Sequence, residues 1–148
     1  MKLTIALVAH DARKNELLEW VDFNKEFLAE HNLVGTGTTS KMIYDRTGLN
    51  IKGLKSGPLG GDAQIAAMIA EGEVNCLIFF CDNLATQGHQ NDIFGLVRIA
   101  SLYNIPFAVN RTTADFILTS NILEREDGEY EIKLPSAIEN YANRFNKE

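Results

Sequence analysis

The sequence predicts an α/β protein with a mostly parallel sheet of five strands and helices on both faces. Short β-prone runs alternate five times with segments whose apolar residues follow helical spacing. The runs at 3–9 and 74–80 are apolar almost throughout, which is typical of strands covered by helices on both sides. Polar side chains follow the strand ends, where sheets of this class bind ligands. We therefore expect a single three-layer domain over residues 1–148.

The first half of the chain carries three of the predicted strands. Residues 3–9 form the first strand, and the apolar residues of 12–30 then lie on one broad helical face. Residues 33–35 form a short second strand, which leads through a threonine-rich turn into a helix that ends at Gly48. Residues 51–55 are a weak third strand, followed by a glycine-rich segment and another helix.

The second half begins with residues 74–80, which have the strongest strand pattern and are expected at the centre of the sheet. An irregular loop is expected over 81–92, then a helix, then a fifth strand over 106–109. Thr112 and Asp115 have the spacing of a capping box for the next helix. The chain closes with an extended piece and an amphipathic helix: residues 130–134, and then Ile138, Tyr141 and Phe145.

Composition limits the class of protein. Hydrophobic residues make up 45% of the 148 residues and charged residues 23%, as in a globular protein with a real core. The net charge of -6 argues against broad binding to nucleic acid or to an anionic membrane, because such partners require a basic face. No apolar run reaches membrane-spanning length, and the first one is interrupted too early, at His10 and Asp11, to predict a signal peptide.

The two cysteines bear on the cellular compartment. Cys76 and Cys81 lie in one predicted strand, on opposite faces and about 16 Å apart. They are therefore not expected to form a disulfide with each other. A reducing cytoplasm is the simpler inference.

A threonine-rich turn is the first candidate ligand site. Thr36-Gly37-Thr38-Thr39 places three hydroxyls at a helix N-terminus, where N–H groups and the helix dipole favour a phosphate. Lys14, one turn into the first helix, can add a positive charge. Threonine-rich caps also occur without a ligand. A nucleoside triphosphate or dinucleotide is disfavoured, because the sequence lacks the glycine motifs that bind them.

The second candidate is S-G-P-L-G-G-D at residues 56–62, where glycines and a proline crowd against a carboxylate that opens a helix. A turn of this kind can direct backbone N–H groups at an anion. Asp62 is either the N-cap of that helix or an acid/base group beside the anion. A helix N-terminus lowers the pKa of a carboxyl, whereas a dry pocket with other carboxylates raises it, and the sequence leaves both open.

Titratable residues are unusually dense at the expected binding edge. Asp11 and Asp92 can each be explained as helix caps. A metal site is disfavoured, because no close-spaced pair such as H-x-x-x-H is present. The residues in question are His10, Asp11, Asp62, Asp82, His89 and Asp92.

Taken together, these segments resemble the methylglyoxal synthase family, in order and across nearly the whole chain. They are V-A-H-D at 8–11 with Lys14, T-G-T-T at 36–39, S-G-P-L-G-G-D at 56–62, I-F-F at 78–80 with Asp82, His89 with Asp92, N-I-P at 104–106 and T-A-D-F-I at 113–117. The resemblance implies a Rossmann- or flavodoxin-like fold and conversion of dihydroxyacetone phosphate to methylglyoxal and inorganic phosphate. It also implies no metal or organic cofactor and a homohexamer regulated by phosphate.

The resemblance also implies roles for individual residues. It makes Asp62 the catalytic acid/base, assisted by His89 and His10, with Asp11, Asp82 and Asp92 as supporting carboxylates. The implied substrate-binding residues are His10, Lys14, Thr36, Gly37, Thr38, Thr39, Ser56, Gly57 and His89. The chain departs from the familiar pattern around the last two carboxylates, at Cys81, Asn83, Gln90 and Asn91.

Two other interpretations stay open. One is a regulatory module that binds a phosphorylated ligand without turnover, similar to the allosteric domain of carbamoyl phosphate synthetase. The other, less favoured, is a metal-dependent phosphohydrolase. The joint presence of Asp62, His89 and Asp92 favours the enzyme, because a binding module needs only the phosphate-binding groups.

Overall fold

A computed structural model describes residues 1–84 and 90–144, with the side chains of 90–94 outside the description. Five strands form its sheet: β1 (Thr4–Ala9), β2 (Asn32–Gly35), β3 (Lys52–Gly53), β4 (Cys76–Phe80) and β5 (Phe107–Ala108). Their order is β3-β2-β1-β4-β5, and every neighbouring pair is parallel. The predicted α/β class and parallel five-stranded sheet are therefore confirmed.

Helices connect these strands. The α-helices are α1 (Lys14–Phe23), α2 (Lys25–Leu28), α3 (Gly37–Thr47), α4 (Gly61–Ala70), α5 (Gln90–Leu102), α6 (Arg111–Leu118) and α7 (Ser136–Asn143). Short 3-10 turns occupy Asp11–Arg13, Gly57–Leu59 and Asn121–Glu124. Within the described ranges, no helix has both the length and the apolar character needed to cross a membrane.

The apolar strands divide the core into two layers, one on each face of the sheet. Successive side chains of β1 point to opposite faces, so Ile5 and Leu7 pack with Trp20 of α1 on one side. Ala6 and Val8 pack on the other side, with helices α4 and α5. Burial on both faces is why β1 and β4 are apolar throughout instead of alternating.

The cysteines follow this division. Cys76 belongs to one layer and Cys81 to the other, and both are free and buried. The expectation that they do not bridge each other is confirmed. Burial raises the pKa of the Cys76 thiol to about 12 and that of the Cys81 thiol to about 11.

Two local predictions need correction. The single helix expected over 12–30 is a 3-10 turn followed by α1 and α2, which are separated at Asn24 (φ -104°, ψ 16°). The third strand comprises only Lys52–Gly53, although backbone hydrogen bonds join Leu54 to Gly35 and Gly37 to Lys55 beyond it. Residues 130–134 belong to no strand of the described sheet. Phe145, expected in the last helix, lies outside the described residues.

The capping box expected at Thr112 and Asp115 is also wrong. Asn110 is the N-cap of α6, and its Oδ1 accepts a 2.9 Å hydrogen bond from the Thr113 N–H. The Asp115 carboxylate instead accepts a 2.8 Å hydrogen bond from the indole N–H of Trp20. Asp115 therefore joins α6 to α1.

This contact gives a test of the fold. Trp20 is 0% exposed, so Asp115→Ala leaves a buried indole N–H without its acceptor and should lower the free energy of unfolding by about 1–3 kcal/mol. Asp115→Asn retains an amide oxygen and should cost much less. Urea denaturation of both variants measures the difference, and equal losses would contradict the assignment.

Candidate functional site

Three of the predicted site residues occupy equivalent positions at the carboxyl edge of the sheet. His10, Thr36 and Ser56 each follow a strand and precede a helical turn, with φ between -65° and -61° and ψ between 155° and 156°. All three are N-caps by position, yet none makes a side-chain capping bond. Their polar side chains are therefore not engaged in capping their own helical turns.

The threonine turn combines buried and exposed hydroxyls. Thr36 and Thr39 are buried, and the Thr36 hydroxyl donates a 3.4 Å hydrogen bond to the Thr39 hydroxyl. Thr38 is exposed. The Ser40 hydroxyl donates to the Gly37 carbonyl at 2.9 Å. Of the three threonines predicted at the α3 N-terminus, two are therefore buried and one is exposed.

The glycine-rich turn folds back on itself. The N–H groups of Leu59 and Gly61 both donate to the Ser56 carbonyl at 3.0 Å. Gly60 has a φ of 104°, which favours glycine, and is the N-cap of α4. Asp62 therefore lies in the first turn of α4, and its interpretation as the N-cap is wrong.

The Asp62 carboxylate is turned toward this same loop. Its two oxygens lie 3.6 Å from the point that a Cβ atom on Gly57 would occupy. The residue is half-buried, so its side chain does not extend fully into solvent. A Cβ atom at position 57 would be in ordinary van der Waals contact with the carboxylate. The predicted acid and the predicted phosphate loop are thus in contact.

The threonine turn and the glycine-rich turn are joined by hydrogen bonds to the Lys55 backbone. The Gly37 N–H donates to the Lys55 carbonyl at 3.3 Å, and the Lys55 N–H donates to the Gln64 side chain at 2.9 Å. A Cβ atom on Gly61 would overlap that same carbonyl oxygen and would lie 3.0 Å from the Thr36 methyl group. The absence of a side chain at Gly61 permits this close approach.

His10 is joined to the end of β4. The Asp82 N–H donates a 2.8 Å hydrogen bond to His10 Nδ1, and the ring meets Phe79 edge-on at 5.1 Å between centroids. An accepting Nδ1 carries no proton, so the imidazole is neutral and its proton is on Nε2. His10 is therefore a hydrogen-bond donor through Nε2.

Lys14 and Asp11 form a second pair at this edge. Lys14 Nζ lies 2.6 Å from Asp11 Oδ1, and the side chains are 20% and 96% exposed, respectively. Asp11 is the first residue of its 3-10 turn, and His10 is the N-cap. The prediction that Asp11 is the cap is therefore wrong. The Lys14 charge is therefore paired with a carboxylate in the turn that follows β1.

Two predicted residues cannot be placed in this way. His89 lies outside the described residues, and so does the side chain of Asp92. Helix α5 begins at Gln90, so Asp92 falls within its first turn and does not precede it as the expected cap. Among the side chains that the structure describes, no group of three potential metal ligands is found.

Sequence reasoning missed two residues that shape the site. The Gln64 side-chain oxygen accepts a hydrogen bond from the Lys55 N–H, and Arg13 donates to the Cys81 carbonyl at 2.8 Å. The only local signal for Arg13 is its spacing of three residues from Glu16, with which it forms an ion pair at 2.6 Å. Neither backbone contact follows a periodic pattern in the sequence.

Cavities elsewhere do not involve the predicted residues. Two of about 420 and 500 Å³ share Met1, Ser120 and Leu123, near the amino-terminal end of β1. None of the predicted site residues lines either cavity. The candidate site therefore depends on the chemistry of the loops at the carboxyl edge.

Comparison with known proteins identifies the family. The MGS-like domain model matches residues 16–109. Methylglyoxal synthase from Vibrio cholerae is 52% identical over 122 residues, covering 82% of this chain and 81% of that protein. The chain belongs to the methylglyoxal synthase family.

Other members of the methylglyoxal synthase family agree in sequence and in structure. The Clostridium acetobutylicum protein is 48% identical over 125 residues, which cover 84% of this chain and 86% of that protein. A crystal structure of methylglyoxal synthase from Elizabethkingia anophelis matches with a TM-score of 0.86 at 39% identity. That match covers 99% of this chain and 92% of the other. The family resemblance stated from the sequence is confirmed.

The close approach at Gly61 gives a test of the site. Gly61→Ala forces the Lys55 carbonyl or the start of α4 to move and should cost roughly 1–3 kcal/mol of unfolding free energy. Gly95→Ala is the matched control, because Gly95 is also helical but faces open space, and it should gain up to about 1 kcal/mol. Urea denaturation compares the two variants. Similar effects from both would contradict the role given to Gly61.

Proposed function

We propose that this chain is a methylglyoxal synthase that converts dihydroxyacetone phosphate to methylglyoxal and inorganic phosphate. The observation that carries the proposal is the Asp62 carboxylate against Gly57, in a loop fastened to the Thr36 turn. This arrangement supports a role for Asp62 as a base acting beside two loops of phosphate-binding type. Membership of the methylglyoxal synthase family supports the same reaction.

The phosphate is assigned to the paired loops. Ser56, Thr36, Thr38 and Thr39 supply hydroxyls, and Gly57, Thr38 and Thr39 supply backbone N–H groups at the starts of helical turns. Gly37 contributes by shaping the turn, because its own N–H donates to the Lys55 carbonyl. Lys14 adds a positive charge at the same edge of the sheet. The chain's net charge of -6 makes such local binding necessary, because the protein as a whole does not attract anions.

The chemical step begins with proton removal. Asp62 takes a proton from the hydroxymethyl carbon next to the substrate carbonyl, which gives an enediolate. The neutral His10 donates from Nε2 to an oxygen of the substrate, and His89 is proposed to donate to the developing oxyanion. Asp11, Asp82 and Asp92 are proposed to support these groups, and Lys14 already pairs with Asp11.

The second step breaks the bond between carbon and the phosphate-ester oxygen. The central enediolate oxygen takes up a proton, and the hydroxyl on the former hydroxymethyl carbon loses its proton and becomes the aldehyde C=O. The electrons of the enediolate C=C bond then form a double bond to the phosphate-bearing carbon, and phosphate leaves with the electron pair of the broken C–O bond. The remaining enol takes a proton at its terminal carbon and tautomerises to methylglyoxal. Elimination requires the C–O bond to stand roughly perpendicular to the enediolate plane, so the phosphate loops must hold it in that position. No metal or organic cofactor is needed for either step.

The assembly and regulation are proposed from the family as well. We expect a cytoplasmic homohexamer that phosphate inhibits at an allosteric site. The two free, buried cysteines support a reducing compartment. Light scattering of the purified protein measures the oligomer, and the substrate dependence of turnover with added phosphate measures the regulation.

The activity is tested with purified protein and dihydroxyacetone phosphate. Methylglyoxal and inorganic phosphate should appear in equal amounts, at the same rate with and without a metal chelator. Binding of the substrate without any product would favour the regulatory-module interpretation instead. Phosphate release without methylglyoxal, abolished by the chelator, would favour a metal-dependent phosphohydrolase.

The role of Asp62 has its own test. Asp62→Asn keeps the size of the side chain but removes the base, so turnover should fall roughly 10²–10⁴-fold with normal circular dichroism. Asp45→Asn is the matched control, since Asp45 is an exposed helical carboxylate paired only weakly with Lys41 at 3.4 Å. It should retain wild-type turnover. Near-normal turnover in Asp62→Asn would rule Asp62 out as the base.

A further inference from the structure

Arg13 has no part in the proposed reaction, yet its side chain contacts the backbone of the site. Its Nη1 donates to the Cys81 carbonyl at 2.8 Å, and its Nε donates to Glu16 at 2.6 Å. The side chain is only 28% exposed. Arg13 therefore bridges the 3-10 turn after β1 and the segment after β4.

The contact lies where the hydrogen bonds between β1 and β4 end. The last registered pair is Ala9 with Phe80, and the His10 N–H donates to the Phe80 carbonyl at 3.2 Å. Beyond this point the partners are side chains. Arg13 holds the Cys81 carbonyl, and His10 Nδ1 accepts from the Asp82 N–H.

These last two bonds act on one rigid unit. The Cys81 carbonyl and the Asp82 N–H belong to the same peptide group, which is planar and resists twisting. Arg13 donates to the carbonyl oxygen at one edge of this peptide, and His10 accepts from the N–H at the opposite edge. A change in the orientation of the carbonyl must therefore change the direction of the N–H that fixes the His10 tautomer.

We propose that Arg13 is a positioning residue: by holding the Cys81 carbonyl, it orients the 81–82 peptide and keeps the His10 proton on Nε2. The expected effect of Arg13 on turnover rests on the proposed function. Its effect on the His10 tautomer does not. The hydrogen bond to Glu16 raises the pKa of Arg13, and the guanidinium stays charged at all working pH values. Glu16 also fixes the plane of the guanidinium, so that Nη1 reaches the carbonyl.

Arg13→Gln tests the proposal, with Arg13→Lys as a second variant. Lysine keeps the charge but lacks the planar fork that serves Glu16 and the carbonyl together. Arg46→Gln is the matched control, because Arg46 also pairs with a carboxylate, Asp22 at 3.4 Å. Nitrogen-15 NMR of the three histidines reports the tautomers, with His10 assigned by comparison with a His10→Gln variant.

In the wild type we expect His10 Nδ1 to give the signal of an unprotonated acceptor and Nε2 that of a protonated nitrogen. Arg13→Gln should shift both signals toward exchange between tautomers and lower kcat roughly 10–100-fold, more than it raises KM. Arg13→Lys should give smaller changes in the same direction. Arg46→Gln should change neither the histidine signals nor kcat.

Unchanged His10 signals in both Arg13 variants would overturn the proposal, whatever happens to kcat. A loss of kcat that tracks thermal stability equally in the Arg13 and Arg46 variants would also overturn it, because that result means a merely structural role. If the wild type forms no methylglyoxal, the proposed function fails, and the NMR comparison alone decides the role of Arg13.

Discussion

The site depends on the close approach of two backbones at the Lys55 carbonyl. That oxygen accepts the Gly37 N–H and meets Gly61 at a distance that leaves no room for a side chain. The contact joins the loop after β2 to the loop after β3, although β3 contributes only two residues to the sheet. The glycines at these positions are required by sterics, and the Asp62 carboxylate reaches its place only because α4 starts at this contact.

A second constraint is the repeated turn at the carboxyl edge. Parallel strands bring the residues that follow them to one side of the sheet, and β1, β2 and β3 each continue into the same extended N-cap conformation. Side-chain capping usually stabilises a helix by about 1 kcal/mol, but His10, Thr36 and Ser56 make no such bond. This departure from the usual cap is the kind expected at a functional site, where local stability yields to ligand binding.

Much of the fold was predictable, because the signals for strands and helices are local in the sequence. Continuous apolar runs identified the buried strands, and alternation along β4 and the residue that follows it placed Cys76 and Cys81 on opposite faces. The errors arose where tertiary contacts competed with local preference. Asp115 has capping-box spacing, but its carboxylate bonds the buried Trp20 indole, and Asn110 caps the helix instead. The order of the strands was not predicted, since hydrophobic patterns do not specify neighbours in a sheet.

The sequence by itself determined the α/β class, the family and the edge of the sheet where the polar groups gather. These follow from periodicity and from motifs that are short and continuous. Only the tertiary structure decided that Asp62 faces Gly57, that His10 is a neutral donor and that Arg13 holds the peptide between Cys81 and Asp82. The physical reason is that hydrogen-bond direction and steric clearance depend on the relative placement of separate loops, which residue order alone does not specify.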